Sequence, residues 1–382
     1  MGPLHGLRVI EFAGIGPAPF CGMVLADMGA DVVLVDRKTS NPNAVGADIE
    51  PRFNIVNRGK RSIALDLKQD AARDTVLELV AGADVLLEGY RAGVMERVGL
   101  GPVDCREVNG KLVYARLTGW GQHGPLAHSA GHDLNYIALA GALYYSGRGD
   151  SPPMAPATLV GDIGGGAMVM AFGILAAVLH AKSTGEGQVV DTSIVDGSAY
   201  GTSLLYGLYK LGRWTGKRYD NFLDGAAPWY DCYECADGHY VSIGSLEPNF
   251  YRTLLEKLGL TDDDAFRSQF DKQQWPALKA RLAEIFRSKT REQWCELLEG
   301  TDVCFAPVLD FDEAVSHPHN EARDTFIEVD GVTQPAPAPR FSATPSEVSS
   351  SAPRKGQHTE EILREAGLSQ ERIATLREQG AA

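Results

Sequence analysis

Short apolar runs alternate with amphipathic segments along the first half of the chain. LRVIEFA at 7–13 and DVVLVD at 31–36 have the length and β-branched content of buried strands. Between them, a glycine-rich turn leads into FCGMVLADMG, which has helical spacing and ends in glycine. The order recurs through RSIALDL, DAARDTVLELVAGA, DVLLEGY and KLVYARLTGW. We therefore predict an α/β fold in which residues 1–190 form a doubly wound, Rossmann-like domain with a parallel sheet.

The pattern weakens in residues 191–224, which are rich in glycine and tyrosine and are predicted to be a linker. Two short apolar runs around Asp237-Gly238 then indicate a β-hairpin. Two amphipathic segments, near 249–259 and 275–298, have helical spacing. Residues 225–320 are therefore predicted to form a smaller α+β domain.

Residues 321–382 begin with a Pro/Ser-rich stretch and end in two short amphipathic segments. We expect an extended return segment followed by two helices that pack on the large domain. Thr359 and Ser369 are predicted N-caps of these helices, and Gly367 and Gly380 are predicted to end them.

Composition narrows the possible partners. The net charge of −14 argues against nucleic acid or an anionic membrane, because both select clustered positive charge. The longest apolar stretch, 167–181, is predicted to be too short to span a bilayer, and no secretory signal pattern precedes the first strand. The six cysteines are scattered, and the single C-x-x-C at Cys232 and Cys235 is weak evidence for zinc, so we predict no metal. These features favour a cytoplasmic enzyme.

The first turn resembles part of a dinucleotide-binding fingerprint. Gly14 and Gly16 follow a strand, and Asp36 ends the next strand. However, Pro19 replaces the third glycine, and Arg37 directly follows the acidic residue. A tight βα turn is therefore favoured over a nicotinamide site.

Basic residues recur where strands are predicted to end. Arg37 and Arg91 follow two strands, and Arg97 lies slightly further along the chain. Because ligands of open α/β sheets bind at the carboxyl ends of strands, these cations favour a ligand with several phosphates. For the basic loop NRGKRS at 57–62, solvated charges are the simpler interpretation.

Three stretches carry candidate acid–base groups. Asp162 precedes the glycines 164–166 and an apolar segment, so it is either a helix cap or part of a site where helix-start N–H groups hold an anion. His132 and Asp133 precede a predicted helix at 134–143, which Asp133 could cap. Glu247 stands before Pro248 at another predicted helix start. Together they supply an imidazole and carboxylates that could move a proton on and off a carbon.

Many segments, in one order, resemble the family III CoA-transferase superfamily. They cover nearly the whole chain and include NRGKRSIALDLK, ADVLLEGYRAGVMERVGLG, LTGWGQHGP, AGHDLNYIALAGAL, LVGDIGGG and TGEGQVVDTSIVDG. The resemblance implies that Asp162 is either the acyl-accepting nucleophile of a transferase or one of two acid/base residues of a racemase. His132 matches the racemases, and Glu247 matches the acid that hydrogen-bonds that histidine.

The resemblance further implies interconversion of the two epimers of a 2-methylacyl-CoA thioester through an enolate. His132 and Asp162 would act on opposite faces of the α-carbon, Asp133 would set their geometry, and Glu247 would fix the tautomer and charge of His132. An interlocked homodimer is implied, with each site shared between the large domain of one subunit and the small domain of the other. No separate cofactor is implied, since CoA is part of the substrate.

The residues implied to hold CoA are Arg37, Leu65, Asp66, Leu67, Lys68, Gly89, Tyr90, Arg91, Arg97, Gly131, Leu134, Asn135 and Tyr136. Two alternatives stay open. One is a CoA-transferase with Asp162 as its nucleophile, and the other is a nicotinamide-linked oxidoreductase that rests on Gly14, Gly16 and Asp36.

Overall fold

The computed structural model of the chain describes residues 2–39 and 49–382. These residues divide into two compact units. The large unit comprises Met1–Ala140, Ala157–Gly201 and Asp324–Ala382, and the small unit comprises Gly141–Pro156 and Thr202–Arg323.

The large unit begins with alternating strands and helices. Its strands up to residue 201 are β1 (Arg8–Phe12), β2 (Asp31–Arg37), β3 (Arg61–Leu65), β4 (Val85–Glu88), β5 (Val113–Thr118) and β6 (Val189–Ser193). Its helices over the same part of the chain are α1 (Pro17–Asp27), α2 (Asp70–Ala81), α3 (Val94–Arg97), α4 (Pro102–Val108), α5 (Asp133–Leu139), α6 (Val169–Thr184) and α7 (Ile194–Gly201).

The six strands form one parallel sheet in the order β3-β2-β1-β4-β5-β6. Helices cover both of its faces, because successive strand residues point to opposite sides. Val9 packs in a core with side chains of α1 and α6. Its neighbour Ile10 packs in a second core with side chains of α2. The predicted doubly wound α/β architecture is therefore confirmed.

One helix of this unit is longer than predicted. Leu159–Met168 is a π-helix, and α6 continues it to Thr184. The stretch 167–181 was expected to be too short to cross a membrane, but the continuous helix has 26 residues and a window of mean hydropathy 1.9, enough by length and composition. Met170 and Ile174 on α6 are buried in the core beside the sheet. A buried core helix has this same apolar composition.

The segment 191–224, expected to be a linker, contains the end of β6 and two helices. They are α7 and α8 (Ser203–Lys210). α8 leaves large apolar side chains exposed, among them Leu204 and Tyr206. The glycines and tyrosines that favoured a linker lie in and around these two helices.

The small unit is built on an antiparallel sheet in the order β7-β8-β9. Its strands are β7 (Tyr230–Glu234), β8 (Tyr240–Gly244) and β9 (Phe305–Val308). The helices that follow α8 in this unit are α9 (Pro248–Leu258), α10 (Trp275–Phe286), α11 (Arg291–Leu298), α12 (Phe311–Ser316) and α13 (Pro318–Ala322).

The hairpin predicted around Asp237-Gly238 is present as β7 and β8. The segment 275–298, predicted as a single helix, contains two helices, α10 and α11, because Thr290 caps the second one. Its hydroxyl accepts a hydrogen bond from the Gln293 N–H at 3.3 Å, which starts α11. The third strand, β9, was not predicted.

The C-terminal part returns to the large unit. It contains the hairpin strands β10 (Phe326–Val329) and β11 (Val332–Pro335), followed by α14 (Thr359–Glu365) and α15 (Gln370–Glu378).

Both C-terminal helices contribute to the second core, through Ile362 of α14 and Ile373 of α15. Ser369 caps α15 as predicted. The predicted Thr359 cap is wrong. The N-cap of α14 is His358, and the Thr359 hydroxyl accepts a hydrogen bond from the Ala64 N–H on β3 instead.

Two charges of the loop 57–62 are buried, contrary to the expected solvated charges. Lys60 is fully buried, and its Nζ donates to Glu11 Oε1 at 2.8 Å, to the Pro19 carbonyl at 2.9 Å and to Asn57 Oδ1 at 2.8 Å. Arg58 is paired with buried Asp27, whose Oδ2 lies 2.6 Å from Nη2. Burial raises the pKa of Glu11 and lowers that of Lys60, since it opposes the charge on each.

Lys60→Met leaves the Glu11 carboxylate buried without its cation. We expect the free energy of unfolding to fall by roughly 3–5 kcal/mol, as for other broken buried ion pairs. Chemical denaturation followed by circular dichroism measures this. Arg52→Ala removes an exposed pair with Glu50 and is the control, with an expected loss of about 0–1 kcal/mol. Equal losses in the two variants would contradict the prediction.

Candidate active site

The carboxyl ends of the parallel strands carry many of the predicted site residues. In the order β3-β2-β1-β4-β5-β6, the chain winds one way from β1 and the other way from β4. Such a switch point opens a crevice for ligands. The first βα turn, residues 14–16, follows β1, and the turn 89–91 follows β4. The candidate site lies on this edge of the large unit.

Three predicted acid–base residues come together there. Asp133 is buried, and its Oδ1 accepts a hydrogen bond from the Asp162 N–H at 2.7 Å. His132 precedes α5 as its N-cap and has an exposed side chain. The expected capping role of Asp133 is therefore wrong, because its carboxylate binds the neighbouring helix instead of its own. Asn135 completes the start of α5, where its Oδ1 accepts from the His132 N–H at 3.1 Å.

The protonation of Asp162 is perturbed. Burial, followed by the nearby Asp133 carboxylate, raises the pKa of its carboxyl to about 6, and His132 opposes the rise. A carboxyl with this pKa exchanges protons near neutral pH. The chain enters the helix that carries Asp162 through two residues with left-handed backbone, Ala157 with φ 48° and Thr158 with φ 65°. Such strain concentrates at functional sites.

Glycines pack this helix closely against its neighbours. A Cβ on Gly161 would stand 2.2 Å from Asp133 Oδ1, and one on Gly165 would stand 2.6 Å from Ser198 Oγ of α7. Asp162 lies in the first turn of the helix that begins at Leu159, close to the expected helix start. The glycines 164–166 lie further inside this helix, so they serve close packing and do not present helix-start N–H groups.

The first βα turn also faces this helix. A Cβ on Gly16 would stand 3.5 Å from Asp162 Oδ2, so the turn and the carboxyl are direct neighbours. Asp36, the acidic residue of the dinucleotide interpretation, accepts a hydrogen bond from the Ser62 hydroxyl at 2.6 Å. That bond engages the carboxylate inside the sheet edge and weakens the nicotinamide alternative.

An aromatic pair lines the same region. The ring of Tyr136 packs edge-on against Trp120, with 4.7 Å between ring centroids, and its hydroxyl donates to the Gly131 carbonyl. Burial raises the pKa of Tyr136, Asp162 raises it further, and Arg91 opposes the rise. The charges of both Asp162 and Arg91 therefore act on the Tyr136 hydroxyl.

The predicted CoA residues around β2 and β4 form one connected cluster. The Arg37 guanidinium lies 5.5 Å from the centroid of the Tyr90 ring. The Tyr90 hydroxyl donates to the Ala13 carbonyl at 2.9 Å, which ties this cluster to the end of β1. Gly89, Arg91 and Arg97 are exposed and accessible to a ligand.

The other predicted CoA residues differ in exposure. Leu65 is fully buried at the end of β3, and Leu67 is half-buried. Asp66 accepts hydrogen bonds from the Lys68 N–H and from Gln69. A ligand can therefore reach the backbone of this segment and the exposed Lys68 more readily than its leucine side chains. Leu134 on α5 is exposed.

Glu247 belongs to the small unit. It is the N-cap residue of α9, with an extended backbone and an exposed side chain. Within this unit its charge helps to raise the pKa of the Cys304 thiol, after burial.

The chain is similar in sequence to known proteins along nearly its whole length. Residues 4–359 match the sequence profile of CoA-transferase family III. The chain belongs to this family. A member from Mus musculus named alpha-methylacyl-CoA racemase is 45% identical over 376 residues, which cover 98% of the chain and 96% of the relative. A succinyl-CoA:mesaconate CoA-transferase from Haloarcula hispanica is 34% identical, covering 96% of the chain and 97% of the relative.

Solved structures agree with the family assignment. A CAIB/BAIF family protein from Brucella suis superimposes with a TM-score of 0.82 at 27% sequence identity, covering 96% of the chain and 99% of that structure. The fold of the chain is therefore that of its family. Within residues 2–39 and 49–382, no group of three or more His, Cys, Asp or Glu side chains is placed to hold a metal ion.

Two features of this site were not predicted from the sequence. Trp120 follows β5 and packs on Tyr136, and its position directly after a predicted strand was an available signal. The contact between the first βα turn and Asp162 had no such signal, because the two segments are far apart in sequence.

Two substitutions of Asp133 distinguish the effect of its charge from the effect of its hydrogen bond. Asp133→Asn keeps an acceptor for the Asp162 N–H but removes the negative charge, so the pKa of Asp162 should fall below about 6. Asp133→Ala removes both and should also cost roughly 1–3 kcal/mol of stability, because a buried N–H loses its acceptor. Carboxyl NMR titration and chemical denaturation measure the two effects. An unchanged Asp162 pKa in the Asn variant would contradict this account.

Proposed function

We propose that the chain is an isomerase that interconverts (2R)- and (2S)-2-methylacyl-CoA thioesters by proton transfer at the α-carbon. The observation that carries the proposal is the pairing of an imidazole, His132, with the Asp162 carboxyl, whose pKa is raised to about 6. The Mus musculus relative, at 45% identity, is named for this kind of reaction, which supports the same assignment.

In the proposed reaction, His132 and Asp162 act on opposite faces of the α-carbon. For one epimer, His132 takes the α-proton and Asp162 delivers a proton to the opposite face; for the other epimer the roles reverse. The raised pKa of Asp162 keeps both protonation states accessible near neutral pH. The intermediate enolate needs electrostatic stabilisation. We assign that role to backbone N–H groups of the first βα turn, since Gly16 neighbours the Asp162 carboxyl.

CoA is assigned to the basic cluster at the strand ends. Arg37, Arg91 and Arg97 would neutralise its phosphates, and the turn 89–91 and the start of α5 would hold its pantetheine arm. Tyr136 is close enough to both Asp162 and Arg91 for their charges to act on its hydroxyl, which supports a thioester that reaches from the cations to the acid–base residues.

A CoA-transferase is the second candidate, because the family also contains transferases such as the Haloarcula hispanica relative. In that reaction the Asp162 carboxylate would attack the thioester and form a mixed anhydride, and CoA would leave as its thiolate. Such a nucleophile has no use for His132. The two candidates therefore differ in what His132 contributes.

Proton exchange separates the candidates. A single 2-methylacyl-CoA epimer incubated with the chain in D₂O, without any acid acceptor, should gain deuterium at the α-carbon and lose stereochemical purity. NMR and chiral chromatography of the hydrolysed acid measure both. Absence of exchange, together with CoA transfer once a carboxylic acid is added, would favour the transferase and overturn the proposal.

Within this experiment, His132→Ala should lower the exchange rate by at least about 100-fold, the low end for loss of a positioned base. His128→Ala is the matched control, because His128 is another exposed histidine of the same loop. Equal effects of the two substitutions would remove the role assigned to His132.

A homodimer is also part of the proposal. On α6, Phe172 and Leu179 are 76% and 72% exposed, and on α8 Leu204 is 68% exposed. Apolar faces of this kind are typical of protein interfaces. Glu247 would then reach His132 from the small unit of a second copy, where it would fix the charge and tautomer of the imidazole.

Complementation tests the shared site. His132→Ala and Glu247→Gln chains, co-expressed with different tags and purified as mixed dimers, contain one intact site only if the two residues act across subunits. We expect each variant alone to be nearly inactive and the mixed dimer to recover about half of the wild-type activity. No recovery in a verified mixed dimer would overturn the shared site.

A further inference from the structure

Arg116 is a buried arginine that neither the acid–base residues nor the CoA cations include. It lies on β5, directly opposite Glu88 of β4, and its side chain is 6% exposed. Its Nε donates to Glu88 Oε1 at 2.8 Å. Its two terminal nitrogens donate to the two carboxylate oxygens of Glu96, at 2.6 and 3.1 Å. One guanidinium therefore binds two carboxylates on different segments.

The first carboxylate, that of Glu88, is hydrogen-bonded to the turn 89–91. Glu88 is fully buried, and its Oε2 accepts a hydrogen bond from the Tyr90 N–H at 2.7 Å. That bond fixes the backbone between Gly89 and Arg91, and the Tyr90 ring in turn packs against the Arg37 guanidinium. A shift of Glu88 would therefore move the turn 89–91, whose three residues are all assigned to CoA.

The second carboxylate, that of Glu96, belongs to α3. Glu96 directly precedes Arg97 on this four-residue helix. The Arg97 guanidinium folds back over Gly93, where an added Cβ would stand 3.3 Å from Nη1. By holding Glu96 in a two-oxygen contact, Arg116 also fixes the helix that presents Arg97.

We propose that Arg116 is a positioning residue for CoA: through Glu88 and Glu96 it holds the turn 89–91 and α3, and with them Arg91 and Arg97, in the arrangement that binds the phosphates. This inference rests on the proposed function. Arg116 does not touch the ligand in this role. Its planar fork is required, because a lysine cannot bind Glu88 and both oxygens of Glu96 at once.

Arg116→Lys tests the inference with charge retained. Isothermal titration of the full chain with CoA should give a Kd about tenfold higher, in line with the cost of small misplacements of binding groups. The KM for the acyl-CoA should rise by a similar factor, while kcat should change less. A purely structural role would instead lower the thermal midpoint without this split between KM and kcat.

Arg61→Lys is the matched control. Arg61 binds Asp31, Glu361 and Glu365 with a similar fork, but it begins β3 at the opposite, amino-terminal edge of the same sheet. We expect it to leave the Kd for CoA unchanged. A Kd for Arg116→Lys equal to that of the wild type, or an equal weakening by Arg61→Lys, would overturn the inference.

Glu96→Gln keeps the test decisive if Arg116→Lys does not fold. Glu96 is partly exposed, so its substitution should preserve the fold, and we expect a Kd about threefold higher because only one of the two links is weakened. An unchanged Kd would overturn the inference. A wild-type chain that binds no CoA would overturn the proposed function itself, which separates the two failures.

Discussion

The site depends on how closely the helix Leu159–Thr184 approaches its neighbours. Its π-helical part packs against α7 so tightly that a Cβ on Gly197 would stand 1.8 Å from the Gly165 carbonyl oxygen. On another side, Gly161 leaves room for Asp133 to accept the Asp162 N–H. Side chains at these positions would push the helix away and break that bond. The position of Asp162 is therefore fixed by the absence of Cβ atoms around it.

Buried ion pairs stabilise the two turns at the switch point of the sheet. Lys60 joins Glu11 on β1 to the Pro19 carbonyl in the first turn of α1, which follows the turn 14–16. Arg116 joins Glu88 to the turn 89–91 in a comparable way. Buried pairs contribute little net stability, but they are costly to break and so restrict the backbone to one arrangement. The polar interior of the large unit thus serves the geometry of its carboxyl edge.

Local patterns were sufficient to predict five strands of the parallel sheet, most of its helices and the hairpin around Asp237-Gly238, but not β6. Residue types and resemblance were sufficient to nominate His132, Asp133 and Asp162, which the fold brings together. The failures share one cause. The burial of Lys60, the bond from Asp133 to Asp162 and the packing of glycines 164–166 all depend on partners distant in sequence.

The Asp133 carboxylate links the geometry of the site to its protonation. The same group that fixes the Asp162 backbone also raises the pKa of the Asp162 side chain, because the two negative charges repel each other. A raised pKa keeps the protonated and the ionised form of this carboxyl both accessible near neutral pH. A carboxyl that must both give and take a proton gains from it. The electrostatics around Asp162 therefore support the proton transfer that we propose.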